Sequence, residues 1–362
     1  MNNKDYCYMK KSLSLLALSL LAATSTASAV EIYKKDGTSV QINGQFRPML
    51  AHTEGERSDL RDRGSRVEFI FAQEMAENLR LIGKARMIFN GKDASGSNHS
   101  GFGDPRTAQL YLGVEHKSVG RLYLGRLPAN GDAIMLGDWQ LGGSGRNPLT
   151  ASAEKGAHFR TVEFAGFQFG ADYLFGSSEK GVDNSPKHLK NGYGLALYYT
   201  NKLNDDWRVR LRAGYTRDNY DSHQFSAPDS TGANKSWIEK DVNRSAWRVS
   251  GEVKYRNLEV AYNYGELKDL QRANYLDTNA VKEKRHFLAA KYFITPKFAG
   301  YSQFRYEKRG ENVNHGYTLG LDYRPIKNLI TFIEFGRDRN ISNVNVHNKY
   351  VNQYYTGFRF LF

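Results

Sequence analysis

The chain has 362 residues, with 51 Lys and Arg against 38 Asp and Glu, a formal net charge of +13 and a mean hydropathy of -0.62. No stretch reaches the roughly 18 consecutive apolar residues that a membrane-spanning helix needs, while 23 Tyr, 20 Phe and 4 Trp exclude a disordered chain. Three classes stay open on composition alone: a secreted β protein, a nucleic-acid binder and a membrane-spanning β-barrel.

The first element is an export signal. Met9, Lys10 and Lys11 form a basic start, Leu13 to Ala23 an apolar run, and Thr24 to Ala29 a small-residue tail ending Ala-Ser-Ala. A basic region, a short apolar region and an A-x-A end together specify a secretory signal peptide. Residues 1–29 are therefore expected to be removed, leaving 30–362 as a single β domain. Losing Lys4, Lys10, Lys11 and Asp5 leaves 48 basic and 37 acidic residues, a net +11. Cys7, the single cysteine, goes with them, so disulfides and Cys-ligated metals are excluded from the exported chain. Export also moves the basic excess away from nucleic acid.

Beyond the signal, apolar and polar residues alternate with period two, the mark of strands with one wet face. The pattern predicts sixteen strands, the first eight near 40–52, 64–75, 79–90, 106–116, 119–126, 157–165, 166–175 and 192–202. The remaining eight fall near 206–217, 244–256, 257–267, 283–293, 297–308, 314–324, 328–339 and 349–362. In Trp207 to Tyr215, the residues Trp207, Val209, Leu211, Ala213 and Tyr215 share one face, and Arg208, Arg210 and Arg212 the other. Arginine facing lipid costs about 2–4 kcal/mol at mid-depth, so these three are assigned to the interior.

The connectors alternate in length. Short ones lie at 76–78, 116–119, 202–205, 256–257, 295–297 and 325–327; longer ones, rich in Gly, Asn, Asp and Ser, include 53–63, 91–105, 127–156, 218–243 and 268–282. A soluble sandwich or propeller has no reason to make every second turn short. An outer-membrane barrel does, with about ten residues per strand and an even strand count. Closure satisfies every backbone group without an edge, so only alternate side chains need be apolar. Tyr198-Tyr199, Tyr262 with Tyr264, Tyr292-Phe293 and Tyr354-Tyr355 sit near strand ends, where amphipathic rings form interfacial girdles.

Several motifs carry a resemblance. Glu31-Ile-Tyr-Lys-Lys-Asp-Gly37 leads into Val40 to Phe46, Ser65-Arg66 opens a strand, Gly113 precedes Gly120-Arg-Leu-Tyr-Leu-Gly-Arg126, and the chain ends on Phe362. Together these resemble the trimeric general diffusion porins of Gram-negative outer membranes, nearest the Haemophilus and Pasteurella type. The resemblance spans the mature chain. It implies an all-β, sixteen-stranded antiparallel transmembrane barrel, a homotrimer, and a third loop (about 127–156) folded inward to constrict a pore. It also implies outer-membrane lipid and lipopolysaccharide, further copies of the chain and small hydrophilic solutes as partners, with no nucleic acid and no cofactor.

Such channels sort solutes by width and by lining charge. By strand parity Arg47, Arg66, Lys84 and Arg86 point inward from the first three strands, as do Tyr111 and Tyr355 from later ones. Lys155 and Arg160 lie near the far end of the loop. On the acidic side the family often carries Pro-Glu-Phe-Gly-Gly, where this chain has Trp139-Gln140-Leu141-Gly142-Gly143. Gln140 thus replaces the constriction carboxylate and leaves Asp132 and Asp138, with Glu154 further on. A weak anion preference, or little selectivity, is expected. The alternatives are a substrate-specific porin and a surface adhesin using loops 218–243 and 268–282. An enzyme finds no support: Gly142-Gly-Ser-Gly145 is not a nucleophile elbow, and no His has metal-motif spacing.

Overall fold

The computed structural model describes residues 30–89, 102–143, 146–178, 188–221, 223–228, 231–239, 242–269, 281–310, 312–340 and 349–362. The expected signal peptide, 1–29, lies outside the described residues. The chain opens with a hairpin of β1 (Val30–Lys35) and β2 (Thr38–Phe46). Its two-residue turn puts Asp36 at φ 50° and Gly37 at φ 76°, the positive pair that matches the twist of flanking strands. Next come β3 (Pro48–Thr53), β4 (Asp59–Asp62), β5 (Arg66–Ala76), β6 (Leu79–Ile88), β7 (Arg106–His116), β8 (Gly120–Pro128), β9 (Ser152–Thr161) and β10 (Phe167–Phe175). They are followed by β11 (Leu189–Lys202), β12 (Trp207–Tyr220), β13 (His223–Pro228), β14 (Asn234–Glu239), β15 (Asn243–Tyr255) and β16 (Leu258–Asp269). The last are β17 (Val281–Thr295), β18 (Phe298–Arg309), β19 (Asn312–Ile326), β20 (Leu329–Asn340) and β21 (Lys349–Leu361).

These build a closed antiparallel barrel of sixteen staves. β2 and β3 make one stave broken at Arg47, and β4 and β5 make the next, broken at 63–65. β13 and β14 pair only with each other in the long connection after β12. Closure joins the chain's two ends: β21 pairs with β3 through Gly357 and Met49 and with β2 through Phe360 and Phe46. The Phe362 N–H donates to the Gly44 carbonyl at 3.0 Å. β1, the β13–β14 hairpin and a 3₁₀ turn at Asn130–Ile134 are elements that alternation alone does not predict.

Alternation sorts the side chains. Along β11, Tyr193, Leu195 and Leu197 are exposed outward, while Gly192, Gly194, Ala196 and Tyr198 are buried on the inner side. Outward aromatics pair near both ends of the staves. Phe167 meets Tyr199 at 4.6 Å and Trp207 meets Tyr255 at 4.4 Å near the short turns. Near the long loops, Trp247 meets Tyr264 at 5.3 Å and Phe335 meets Tyr354 at 5.2 Å. Two aromatic belts around an apolar band are what a bilayer demands of a barrel's outer surface. The interior is reversed in character, holding buried Glu68, Asp172, Arg248, Glu252, Asn263, Lys291 and Glu334.

Candidate functional site

The third long connection, between β8 and β9, turns into the barrel instead of away from it. Asn130 fixes its root. The Asn130 backbone N–H donates to Asp172 Oδ2 at 2.7 Å and its amide nitrogen to Asp172 Oδ1 at 2.9 Å. Arg160 Nε donates to Asn130 Oδ1 at 2.9 Å, and the Tyr198 hydroxyl donates to the Asn130 carbonyl at 2.9 Å. A fully buried amide with this many partners holds one geometry. Just beyond, Ile134 is buried with Leu149 from the loop's return, against Ala196, Tyr198, Ala246 and Leu267 of the wall.

Farther along, the loop is tethered through its backbone. Leu136 exchanges two hydrogen bonds of 2.9 Å with the Asn263 amide, and Gln303 Nε2 donates to the Gly137 carbonyl at 3.1 Å. At the tip, the Leu141 and Gly142 N–H groups donate to Glu334, the latter at 2.9 Å, and Tyr301 donates to the same carboxylate. Leu141 packs with Met49, Ala51, Phe332 and Tyr355. Arg63 Nη2 donates to the Gly143 carbonyl at 2.7 Å. The return limb is caught by Arg248, which donates to the Arg146 carbonyl at 3.2 Å, and by Thr150, whose hydroxyl donates to Asp218 at 2.6 Å. The loop therefore crosses from the β10–β12 wall to the β20–β3 wall and narrows the lumen.

The wall from β2 to β6 is basic. Lys84 Nζ lies 2.7 Å and Arg86 Nη2 2.5 Å from the carboxylate of Glu68, and Arg66 Nε lies 3.6 Å from it. Asp132, on the loop's first turn, has an exposed carboxylate within Coulombic reach of Arg86.

The sequence profile of a family described as Gram-negative porin matches residues 15–343. The chain belongs to the Gram-negative porin family. Porins are channels of the outer membrane, which fixes the compartment, and the narrowed lumen is this porin's pathway. The chain is 29% identical to a major outer membrane protein of Pasteurella multocida strain Pm70 over 355 residues, covering 95% of this chain and 98% of the relative. A second major outer membrane protein of Pasteurella multocida is 30% identical over 317 residues, covering 83% of this chain and 84% of the relative. Among solved structures, OmpT, an outer membrane protein of Vibrio cholerae, superposes with a TM-score of 0.70 at 18% identity, covering 92% of this chain and all of that one. An anion-selective porin from Comamonas acidovorans gives 0.65 at 14% identity, over 90% of this chain and all of that one. These likenesses carry the fold.

Within this porin the sequence-predicted residues fall into five places. Arg47, Arg66, Lys84 and Arg86 share the basic wall. Arg160 and Arg212 grip the loop's root: Arg160 sits 4.2 Å over the Tyr198 ring and Arg212 donates to the Ala133 carbonyl. Arg208 and Arg210 lie nearer the short-turn mouth, where Glu252 pairs with both and Glu259 with Arg208 at 3.2 Å. Glu154 and Lys155 stand away from the constriction. A register shift between Gly125 and Leu127 precedes them; Glu154 pairs with Arg126 at 2.6 Å with its side chain exposed, and Lys155 donates to the Gly176 carbonyl at 2.6 Å.

On the loop itself, Asp132 and Asp138 are exposed, whereas Gln140 is buried with its Oε1 accepting from Thr318 at 3.3 Å. Gln140 is thus a wall contact of this porin and does not project into the channel. Tyr111 stacks one face of its ring on Tyr123 at 4.9 Å. Sequence reasoning missed Glu68, which gathers the cations, and Asn130, Asn263 and Glu334, which hold the loop. Glu68 had a signal, since it shares parity with Arg66 two residues before it.

Proposed function

We propose that this porin is a general diffusion channel for ions and small hydrophilic solutes, weakly selective for anions. One observation supports the selectivity: most lumen carboxylates are spent on internal partners. Glu252 and Glu259 are occupied by arginines, Asp322 by Lys291, Asp172 by Asn130 and His158, and Glu334 by the loop tip. Cations outnumber the acids that remain near the loop. In a water-filled pore the uncompensated charges decide which counter-ion accumulates. The structural neighbour from Comamonas acidovorans, an anion-selective porin, is in keeping with this reading.

The working form we infer is a homotrimer of chains 30–362, released by cleavage after Ala29 and seated among outer-membrane lipid and lipopolysaccharide. A Vibrio cholerae OmpT structure in trimer form supports the assembly by analogy. Reversal potentials across a salt gradient in planar bilayers test the selectivity, and a clearly cation-selective potential would sink it. Gel mobility before and after heating tests the trimer.

A further inference from the structure

The inner wall of a water-filled barrel is polar as a rule. One inner patch departs from that rule on the strands themselves. Ile82, Tyr123, Leu127, Ala153 and Leu174 form a buried apolar cluster whose members lie on β6, β8, β9 and β10. Unlike the clusters at Ile134 and Leu141, it draws no residue from the connection between β8 and β9. Half-buried Ala72 of β5 and Tyr111 of β7 pack on it from the lumen side. Tyr111 rests one face on Tyr123, with ring centroids 4.9 Å and planes 23° apart, and Tyr123 lies 6.0 Å from the His158 ring. Gly113 stands opposite Tyr123 in the ladder, and a Cβ there would lie 2.6 Å from Tyr123 Cδ1. The glycine thus lets the Tyr123 ring lie along the wall as a floor for Tyr111.

The hydroxyl sets Tyr111 apart from other inward tyrosines. Tyr123 donates to Glu115, Tyr198 to the Asn130 carbonyl, Tyr301 to Glu334 and Tyr355 to Gln353 Oε1. Among the described residues, the Tyr111 hydroxyl is neither buried nor hydrogen-bonded. Tyr111 stands opposite Lys84 in the ladder, which puts it level with the basic wall and in the path of solutes. Arg121, Arg86, Glu68 and Glu115 all lie within Coulombic reach of its hydroxyl, and Arg121 stands 5.7 Å over the Tyr123 ring. Glu68 already bonds Lys84 and Arg86, and Glu115 bonds Arg80 and Tyr123. An ionised carboxylate has about four acceptor positions, so both keep some to offer. The border of the ring thus carries donors and acceptors together.

We propose that the lumen face of Tyr111, bordered by Ala72, Arg121 and Glu68, is a binding platform for a pyranose ring of a neutral saccharide. A pyranose has a flat C–H face, which leaves water favourably against an aromatic ring, and equatorial hydroxyls that both donate and accept. The tyrosine meets the first and the border of mixed sign meets the second. Apolar surface with a few convergent polar groups is the common character of small-molecule sites. Ions of either sign meet partial cancellation at such a border and gain nothing from the apolar face, so they pass while the sugar dwells. The inference rests on the channel reading above and adds to it one saturable solute site in the permeation path.

The test titrates maltotriose against chloride conductance of the reconstituted protein, with a polyethylene glycol of matched hydrodynamic size as the control for excluded volume. Saturable block by the sugar is expected in the wild type, and only a proportional, unsaturated decrease with the polymer. Tyr111→Leu keeps apolar volume and loses the flat face; it should raise the half-blocking concentration by about tenfold, the loss expected for one aromatic platform. Tyr111→Phe keeps the platform and should stay within about threefold of wild type. Phe169→Leu, on the outer face of β10, should leave the block unchanged. Insertion of each variant is checked by its chloride conductance. If Tyr111→Leu does not insert, Arg121→Gln carries the test, with a loss of about tenfold for one charge-assisted contact. Equal action of sugar and polymer on the wild type, or equal sugar block in wild type and variant, would overturn the site alone. Absence of any chloride conductance in the wild type would overturn the channel reading, and the site with it.

Discussion

Replacing Glu334 by Ala should loosen the constriction without harming the barrel. The carboxylate is buried and accepts from two loop N–H groups and one tyrosine hydroxyl. Hydrogen bonds to a charged group contribute about 1.5–3 kcal/mol each, so the two loop bonds sum to about 3–6 kcal/mol in a dry site. Water in the lumen can replace part of that, which leaves about 2–3 kcal/mol, or roughly a 30- to 150-fold rise in the detached population. Against it stands Leu141, packed with Met49, Ala51, Phe332 and Tyr355. Burying a leucine side chain contributes about 1.5–3 kcal/mol, comparable to the lost tether. Detached and docked tips should then exchange, and single-channel records should flicker to a higher level while liposomes admit larger sugars. Glu334→Gln keeps one acceptor and should fall between the two. A variant with steady wild-type conductance and an unchanged sugar limit would refute the idea that this carboxylate pins the loop.

Other outcomes follow from the same geometry. Glu68→Gln removes the acid that gathers Lys84 and Arg86; one extra net charge at roughly 8 Å in water is worth about 0.5 kcal/mol. The reversal potential should therefore move toward anions by about a twofold permeability change, and a move toward cations would contradict the placement. Gly137 has φ 78°, and a Cβ there would lie 2.5 Å from Ala261 Cβ. Gly137→Val should cost roughly 1–3 kcal/mol in backbone strain alone and spread the single-channel conductances, where one sharp wild-type level would count against it. Leu195, outward near the middle of β11, should lose about 2–4 kcal/mol of folded stability on change to Arg. Equal folded yield in bilayers would show that this face is not in lipid.

The barrel was readable because its determinants are local. Alternate residues see opposite solvents, and the six short connectors at 76–78 through 325–327 mark one end of six of the seven short-turn hairpins, the seventh being the turn at 162–166 between β9 and β10. Arg208, Arg210 and Arg212 needed nothing beyond parity. Parity fails where the ladder slips. The bulge opposite Gly125 and Leu127 removes Glu154 and Lys155 from the lumen, and no residue type announces that slip. The breaks at Arg47 and 63–65 are equally silent, although Pro48 lacks the N–H that would continue the ladder. The loop's partners were out of reach for a different reason. Asn263 lies 127 residues beyond Leu136, and Glu334 lies 193 beyond Leu141. Which polar wall residue meets which loop amide depends on closure of the whole barrel. Gln140 shows the cost: its place in a motif suggested the eyelet, and the path of the loop buried it against Thr318.

The placement of these groups separates two properties of the channel. Width follows from where the loop lies, and the loop is held by backbone amides and carbonyls bonded to Asp172, Asn263, Gln303 and Glu334. The buried apolar clusters at Ile134 and at Leu141 form where loop and wall meet, so the loop adds apolar core to an interior whose third such cluster, at Ile82, Tyr123, Leu127, Ala153 and Leu174, lies on the strands. Charge, by contrast, follows from side chains that bond little: Arg47, Arg66 and Arg359 on the wall and exposed Asp132 on the loop. Substitutions in the first group should change solute size limits with little effect on ion preference. Those in the second should change ion preference at constant size limit. Because Arg63 belongs to both, donating to Gly143 while repelling Arg47, its replacement should move the two readouts together.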